Sequence, residues 1–257
     1  MTRLYTANLS FAYGMRRILN DVTLAPLVAG KLTALIGPNA SGKSTLFKVI
    51  AGLLRPVSGQ VFLGDTDLAD LGARDRLSRI RFMPQFFAAN AALTVFDVVM
   101  MAQKQLQGWR VTSDDMNHVA KALQSGGIGH LADAYVSELS GGQSQMVSCV
   151  QALIRPADVY LFDEPTSALD LHHQLAVLSR IRSAVTTRGA VGIVALHDLN
   201  LAARFADHLI LIGQGRLLAE GAPRDVLYSA ELGEAYGVDI TITKGPREDL
   251  TVHAYAP

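Results

Sequence analysis

The chain has 257 residues with 23 basic and 23 acidic side chains, a formal net charge of zero, so it lacks the basic excess of a nucleic-acid binder. Its single cysteine, Cys149, rules out an internal disulfide framework and fits a reducing compartment, as a small buried side chain in an apolar helical pattern. The first residues lack a secretory apolar core and no apolar run nears about 18 residues, so neither a leader nor a membrane span is expected.

With 49% apolar and 18% charged residues the chain is greasy for a soluble protein, which reserves surface for a partner. Alternation predicts strands over residues 4–11 and 22–24. Ala29-Gly30 predicts a turn that pairs the second of these with the run Leu32–Ile36 as antiparallel β. Next comes Gly37-Pro38-Asn39-Ala40-Ser41-Gly42-Lys43-Ser44-Thr45, followed by Leu46, Val49, Ile50 and Leu53 at helical spacing. A strand feeding a glycine-rich turn that opens a helix is the setting of a phosphate-binding loop. Gly37 and Gly42 let the backbone curl until its N–H groups converge, and the helix start adds positive potential for a triphosphate. Lys43 is placed to reach the β- and γ-phosphates, and the Ser44 hydroxyl to ligate Mg²⁺. The bland alternative is a turn capped by Ser41.

Arg55-Pro56 and Ser58-Gly59 end that helix, and residues 60–63 and 80–83 read as further strands. From residue 88 to 134 the pattern turns helical, with Thr94/Asp97 and Thr112/Asp115 as capping boxes. Met116, Val119, Ala120 and Leu123 form one apolar face there. In Leu139-Ser140-Gly141-Gly142-Gln143, Ser140 and Gln143 fit another capping box before a helix with Met146, Val147, Val150, Leu153 and Ile154 on its apolar side. Glycine weakens a helix by about 1 kcal/mol relative to alanine. Two of them in a first turn therefore suggest an anion approaching the bare amides.

Residues 159–162, an apolar strand, end in Asp163-Glu164. At the carboxyl end of a parallel strand, beside a phosphate loop, Asp163 is placed to hold Mg²⁺ and Glu164 to deprotonate a water; capping the next helix is the plain alternative. Strand and helix patterns alternate over 159–162, 175–185, 190–196, 199–206 and 208–212, which predicts a mostly parallel sheet. Gly213-Gln214-Gly215 predicts a hairpin, as do Ile240, Ile242, Leu250 and Val252 around Lys244-Gly245-Pro246. The expectation is one α/β domain: residues 1–87 and 151–257 as catalytic core with an N-terminal antiparallel β subdomain, and 88–150 as a helical insertion.

Leu139 to Gln143, so soon before Asp163-Glu164, resembles the ATP-binding-cassette (ABC) ATPase family, and the likeness extends over essentially the whole chain. The resemblance implies a head-to-tail dimer in which ATP lies between the phosphate loop of one subunit and Ser140, Gly141, Gly142 and Gln143 of the other. It implies that Tyr13 stacks on adenine, that Gln85 contacts Mg²⁺ or water, and that His197 bonds the γ-phosphate. It also implies that Asp170, in Ser167-Ala168-Leu169-Asp170, reaches across the dimer; capping is its other reading. His172 and His173 read as surface residues. The chain departs from the family at Met146, where an arginine is common, and at Val150-Gln151, where Ala-Arg is usual. Every group in direct contact with nucleotide is retained.

The segments 197–207, 215–217 and 221–227 resemble bacterial ATPases that import ferric siderophores, haem or cobalamin. That likeness implies a peripheral motor on the cytoplasmic face of the inner membrane. A polytopic permease would dock near Phe86, Phe87 and Phe96, served indirectly by a substrate-binding protein, with no role for nucleic acid. A soluble ABC ATPase of a non-transport machine such as cluster assembly is the rival. A small-molecule kinase would leave Leu139 to Gln143 unexplained.

Overall fold

A strand covered on both faces is apolar at every position, and such runs build the centre of this molecule. The computed structural model describes residues 2–85, 92–105, 108, 110–245 and 250–256. First come β1 (Arg3–Tyr13), β2 (Arg16–Val22), β3 (Leu27–Val28), β4 (Leu32–Ile36), α1 (Lys43–Ile50), β5 (Ser58–Leu63), β6 (Thr66–Asp67), α2 (Ala73–Arg79) and β7 (Ile80–Met83). Then follow α3 (Val95–Lys104), α4 (Ser113–Ser125), α5 (Gly141–Leu153), β8 (Val159–Asp163), α6 (Leu171–Arg188), β9 (Val191–Ala195) and α7 (Leu199–Phe205). Last are β10 (His208–Gly213), β11 (Arg216–Gly221), α8 (Pro223–Leu227), α9 (Ala230–Tyr236), β12 (Asp239–Lys244) and β13 (Leu250–Tyr255).

Six strands in the order β11-β10-β4-β9-β8-β7 form the central sheet, parallel except where β11 turns back on β10. Side-chain parity divides them between two cores. Ala34, Tyr160, Phe162, Val194 and Leu211 face the helices α5 to α8. Leu35, Leu161, Ile193 and Ile210 face α1 and a second, antiparallel sheet. That sheet runs β2-β1-β5-β6, with β3 also on β1. The β12–β13 hairpin pairs Ile242 with Val252, as the alternation predicts.

The antiparallel pairing expected between the strand at Val22 and Leu32–Ile36 does not form. β2 pairs with β1, and β4 enters the parallel sheet between β10 and β9. The reason is burial: all five residues of β4 are enclosed, a pattern only a central strand satisfies. Ala29-Gly30 is still a turn, but it moves the chain between sheets, with the Gly30 N–H donating to the Ala190 carbonyl at 2.7 Å.

Both capping boxes, at Thr94 and Thr112, are present, and α3, α4 and α5 enclose a third core of Val95, Val99, Val119, Leu123, Val147 and Val150. The expected apolar face of α4 is corrected: Met116 and Ala120 are exposed, and Asp115 lies inward with Val119 and Leu123. A charged residue takes the inward place because Lys104 of α3 meets it at 2.9 Å, and Thr112 supplies an amide and a hydroxyl at 2.9 and 2.8 Å. Among the described residues no helix is long and apolar enough to cross a membrane.

Candidate nucleotide site

The carboxyl ends of β4, β9, β8 and β7 lie side by side, and each delivers one part of the site. The glycine-rich loop follows β4, His197 follows β9, Asp163 ends β8 with Glu164 after it, and Gln85 follows β7. A cavity of about 610 Å³ opens over them, walled by Asn39, Ala40, Ser41, Gly42, Lys43, Ser44 and Thr45. Tyr13, Arg16, Ile18, Gln85, Glu164 and His197 complete its rim.

Gly42 sits at the N-cap of α1 with no side chain capping the helix and no acid in its first turn. Ser41 is therefore not a cap; its buried Oγ has no partner. The first amides of α1 remain free donors facing the cavity, which is how a helix start binds an anion. Gly37 and Pro38 lie behind this wall. The Gly37 N–H donates to the Tyr236 hydroxyl at 2.9 Å, and the carbonyls of Gly37 and Pro38 accept from Lys43 Nζ at 2.7 and 3.0 Å. Burial pulls the Lys43 pKa down, opposed by the carboxylates of Glu164 and Asp163.

Glu164 adopts φ 52°, a left-handed conformation rare outside glycine, and such strain of about 1–3 kcal/mol gathers at working sites. Its side chain is held on both oxygens. Gln85 Nε2 donates to Oε2 at 2.5 Å, and His197 Nε2 lies 2.5 Å from Oε1. Its carbonyl accepts from Gln145 Nε2 of α5 at 2.5 Å and from the Ser167 hydroxyl at 3.2 Å. Burial raises the Asp163 pKa, with Glu164 adding to the effect, while a hydrogen bond from Ser44 opposes it. Asp163 Oδ1 is buried with no partner. An orphaned carboxylate oxygen beside a serine hydroxyl is a hard-oxygen donor set suited to Mg²⁺, which takes few protein ligands. The residues fit that ion.

The second group of expected contacts stands apart. Ser140 and Gln143 form their capping box at the start of α5, and Gly141 is exposed. Asp170 caps α6, accepting from the His173 N–H at 2.9 Å and contacting His173 Nδ1 at 2.8 Å. Neither turn lines the cavity. Tyr13 is half exposed, its ring edge-on to Phe11 at 4.8 Å. Phe86 and Phe87 lie outside the described residues; Phe96 is partly buried against the third core. Gln151 donates to the Val98 carbonyl at 3.0 Å, tying α5 to α3 where the family's arginine is absent.

Arg16, Gln145 and Tyr236 are site residues that sequence reading does not find. Arg16 lies in an ordinary strand pattern, three residues after Tyr13 and paired with it across the β1–β2 turn. Gln145 is a long polar side chain on the buried side of α5, which is itself a signal. Tyr236 is almost two hundred residues from Gly37, and no local pattern links them.

Fold and site together define a phosphate-loop ATPase. The chain belongs to the ABC transporter family, whose match covers residues 19–167. It is 38% identical over 254 residues, 95% of each chain, to the hemin import ATP-binding protein HmuV of Bordetella pertussis. It is 33% identical over 250 residues, 96% of this chain and 91% of the other, to the ferric enterobactin transport ATP-binding protein FepC of Escherichia coli. A dimeric structure of the ATP-binding cassette MJ0796 with ADP and phosphate, in a post-hydrolysis state, aligns with a TM-score of 0.78 at 26% identity, over 87% of this chain and 99% of that one.

Proposed function

We propose that this chain is the ATP-hydrolysing subunit of a bacterial importer for a ferric siderophore, haem or cobalamin. It works as a head-to-tail homodimer on the cytoplasmic face of the inner membrane, under a polytopic permease supplied by a substrate-binding protein. The names of the relatives at 33–38% identity support the ligand class. Residues 88–150 act as the insertion that carries the Ser140 turn and, near Gln85, meets the permease.

The observation that carries the hydrolytic reading is the carboxylate of Glu164, held by Gln85 and His197 at 2.5 Å each on the rim of the phosphate-loop cavity. Glu164 takes the proton from the attacking water, and Gln85 and His197 fix its direction. Lys43 exchanges its loop carbonyls for phosphate oxygens, and the free amides from Gly42 to Thr45 hold the rest of the charge. Tyr13 stacks on the base. Ser44, Asp163 and Gln85 would hold Mg²⁺, which would supply charge neutralisation on the phosphates. The partner's Ser140 turn and Asp170 loop close the other side, so ATP favours the joined dimer.

In Glu164→Gln, turnover is expected to fall by about 100- to 10,000-fold while ATP binding persists and a dimer accumulates on size exclusion with MgATP. Hydrolysis at the normal rate would remove Glu164 from the role of base.

A further inference from the structure

Away from the nucleotide, a second cavity of about 400 Å³ lies between α4, α5 and α6. Its floor is apolar: Met146, Cys149, Val150, Leu153 and Val177 line it. Met146 matters here, because an arginine at that place would put a charge into the floor. The walls carry Lys121, Arg180 and Arg188 with His118, and no acidic side chain.

The two arginines are held but not neutralised. Arg180 Nη1 donates to the Gly126 carbonyl at 2.6 Å, and Arg188 Nη1 to the Arg155 carbonyl at 3.2 Å and the Tyr160 hydroxyl at 2.5 Å. His118 Nε2 is 3.1 Å from the Ile154 carbonyl. Among the described residues none of Lys121, Arg180 or Arg188 is ion-paired with a carboxylate. The two guanidinium groups are thus oriented by neutral acceptors. Each keeps further N–H donors, and a carboxylate is the group that matches them.

We propose that this cavity binds an amphipathic monoanion, an apolar chain or ring carrying one carboxylate, with the apolar part on the Met146–Cys149 floor and the acid against Arg180 and Lys121. The volume falls in the roughly 300–1,000 Å³ range of small-molecule sites. Apolar burial gives such a ligand its affinity and the cationic wall its selection for an acid. The site also has leverage. α5 starts at the Ser140 turn and α6 at Asp170, so an occupant fixes the angle between the two elements that the dimer reading assigns to the partner's nucleotide.

Binding is tested without reference to hydrolysis, so that failure here is separate from failure of the ATPase mechanism. Sodium decanoate below its micelle concentration is titrated calorimetrically into the intact chain, with decanol as the neutral control. One saturable site per chain is expected, with decanol weaker by about tenfold, the worth of one charge-assisted hydrogen bond. Lys121→Gln, at an exposed position without a partner, is expected to weaken decanoate by a similar factor, and Ala184→Phe to abolish binding by filling the cavity. The proposal is overturned if decanoate shows no saturable binding, if decanol binds as tightly, or if Ala184→Phe binds unchanged.

Discussion

Two glycine turns in this molecule look alike in sequence and differ in what demands them. In the phosphate loop the fold itself requires glycine. Gly37 has φ 146°, and a Cβ there would lie 2.0 Å from the Ile212 carbonyl oxygen; Gly42 has φ 108° and would meet Leu19 at 2.9 Å. In the Ser140 turn Gly141 has no left-handed φ, is exposed, and would place a Cβ at an ordinary 3.5 Å from Ala168. Gly142 is tighter, at 3.0 Å from the Ala168 carbonyl. Among the described residues nothing explains Gly141, which sits in a helix that alanine would stabilise by about 1 kcal/mol. A residue kept against local preference marks an approach from outside, and here the second subunit's nucleotide is the proposed visitor.

The largest effect is expected from Gly37→Ala. The wrong φ alone costs about 1–3 kcal/mol, and the 2.0 Å overlap with Ile212 adds to it. Thermal unfolding should drop by several degrees and ATP binding should be lost. An alanine variant that keeps both would mean the loop is not held as described. Gly141→Leu should do the reverse to stability and the same to activity. The melting temperature holds or rises, ATP binding to the monomer is unchanged, and turnover falls by about 100-fold or more as the amide approach is blocked. If turnover survives, the Ser140 turn touches no nucleotide.

The phosphate loop was legible because its residues are contiguous and its setting, an apolar strand before and a helical repeat after, is local. The same holds for the strand that ends in Asp163 and for the three capping boxes. Where reading failed, the deciding partner was distant in sequence. β4 was assigned to the wrong neighbour because a buried run does not name the strands beside it. The face of α4 was rotated because Asp115 looks like a surface acid until Lys104, eleven residues earlier, comes into view. Helical periodicity ranks side chains by polarity and cannot register a charge cancelled by a neighbour.

Tyr236→Phe sharpens the contrast from the loop side. It removes the acceptor of the Gly37 N–H without changing shape. A buried amide left without a partner is worth about 1–3 kcal/mol. ATP affinity is expected to weaken, and the Gly37 amide to exchange faster with solvent, while the Ser140 turn is untouched. Unchanged exchange at Gly37 would mean the hydroxyl does not hold the loop.

The smallest effect separates the two regions by pH. The Lys104 hydrogen bond, then those from Thr112, draw the Asp115 carboxyl from 3.8 down to about 2. A carboxyl depressed by folding stabilises the native state above its unfolded pKa and gives that up as pH falls through the folded one. The α3–α4 staple is thus lost between 3.8 and about 2. Asp163 has the opposite sign: burial raises its pKa, so its charged form opposes folding and protonation relieves the core. Over that acid window peptic cleavage should rise first in α3 and α4 and later in the central sheet. Asp115→Asn should be cut early at every pH, with no acid transition of its own. If these helices and the sheet are cut together, or if the variant keeps the wild-type transition, the staple does not set the stability of α3 and α4.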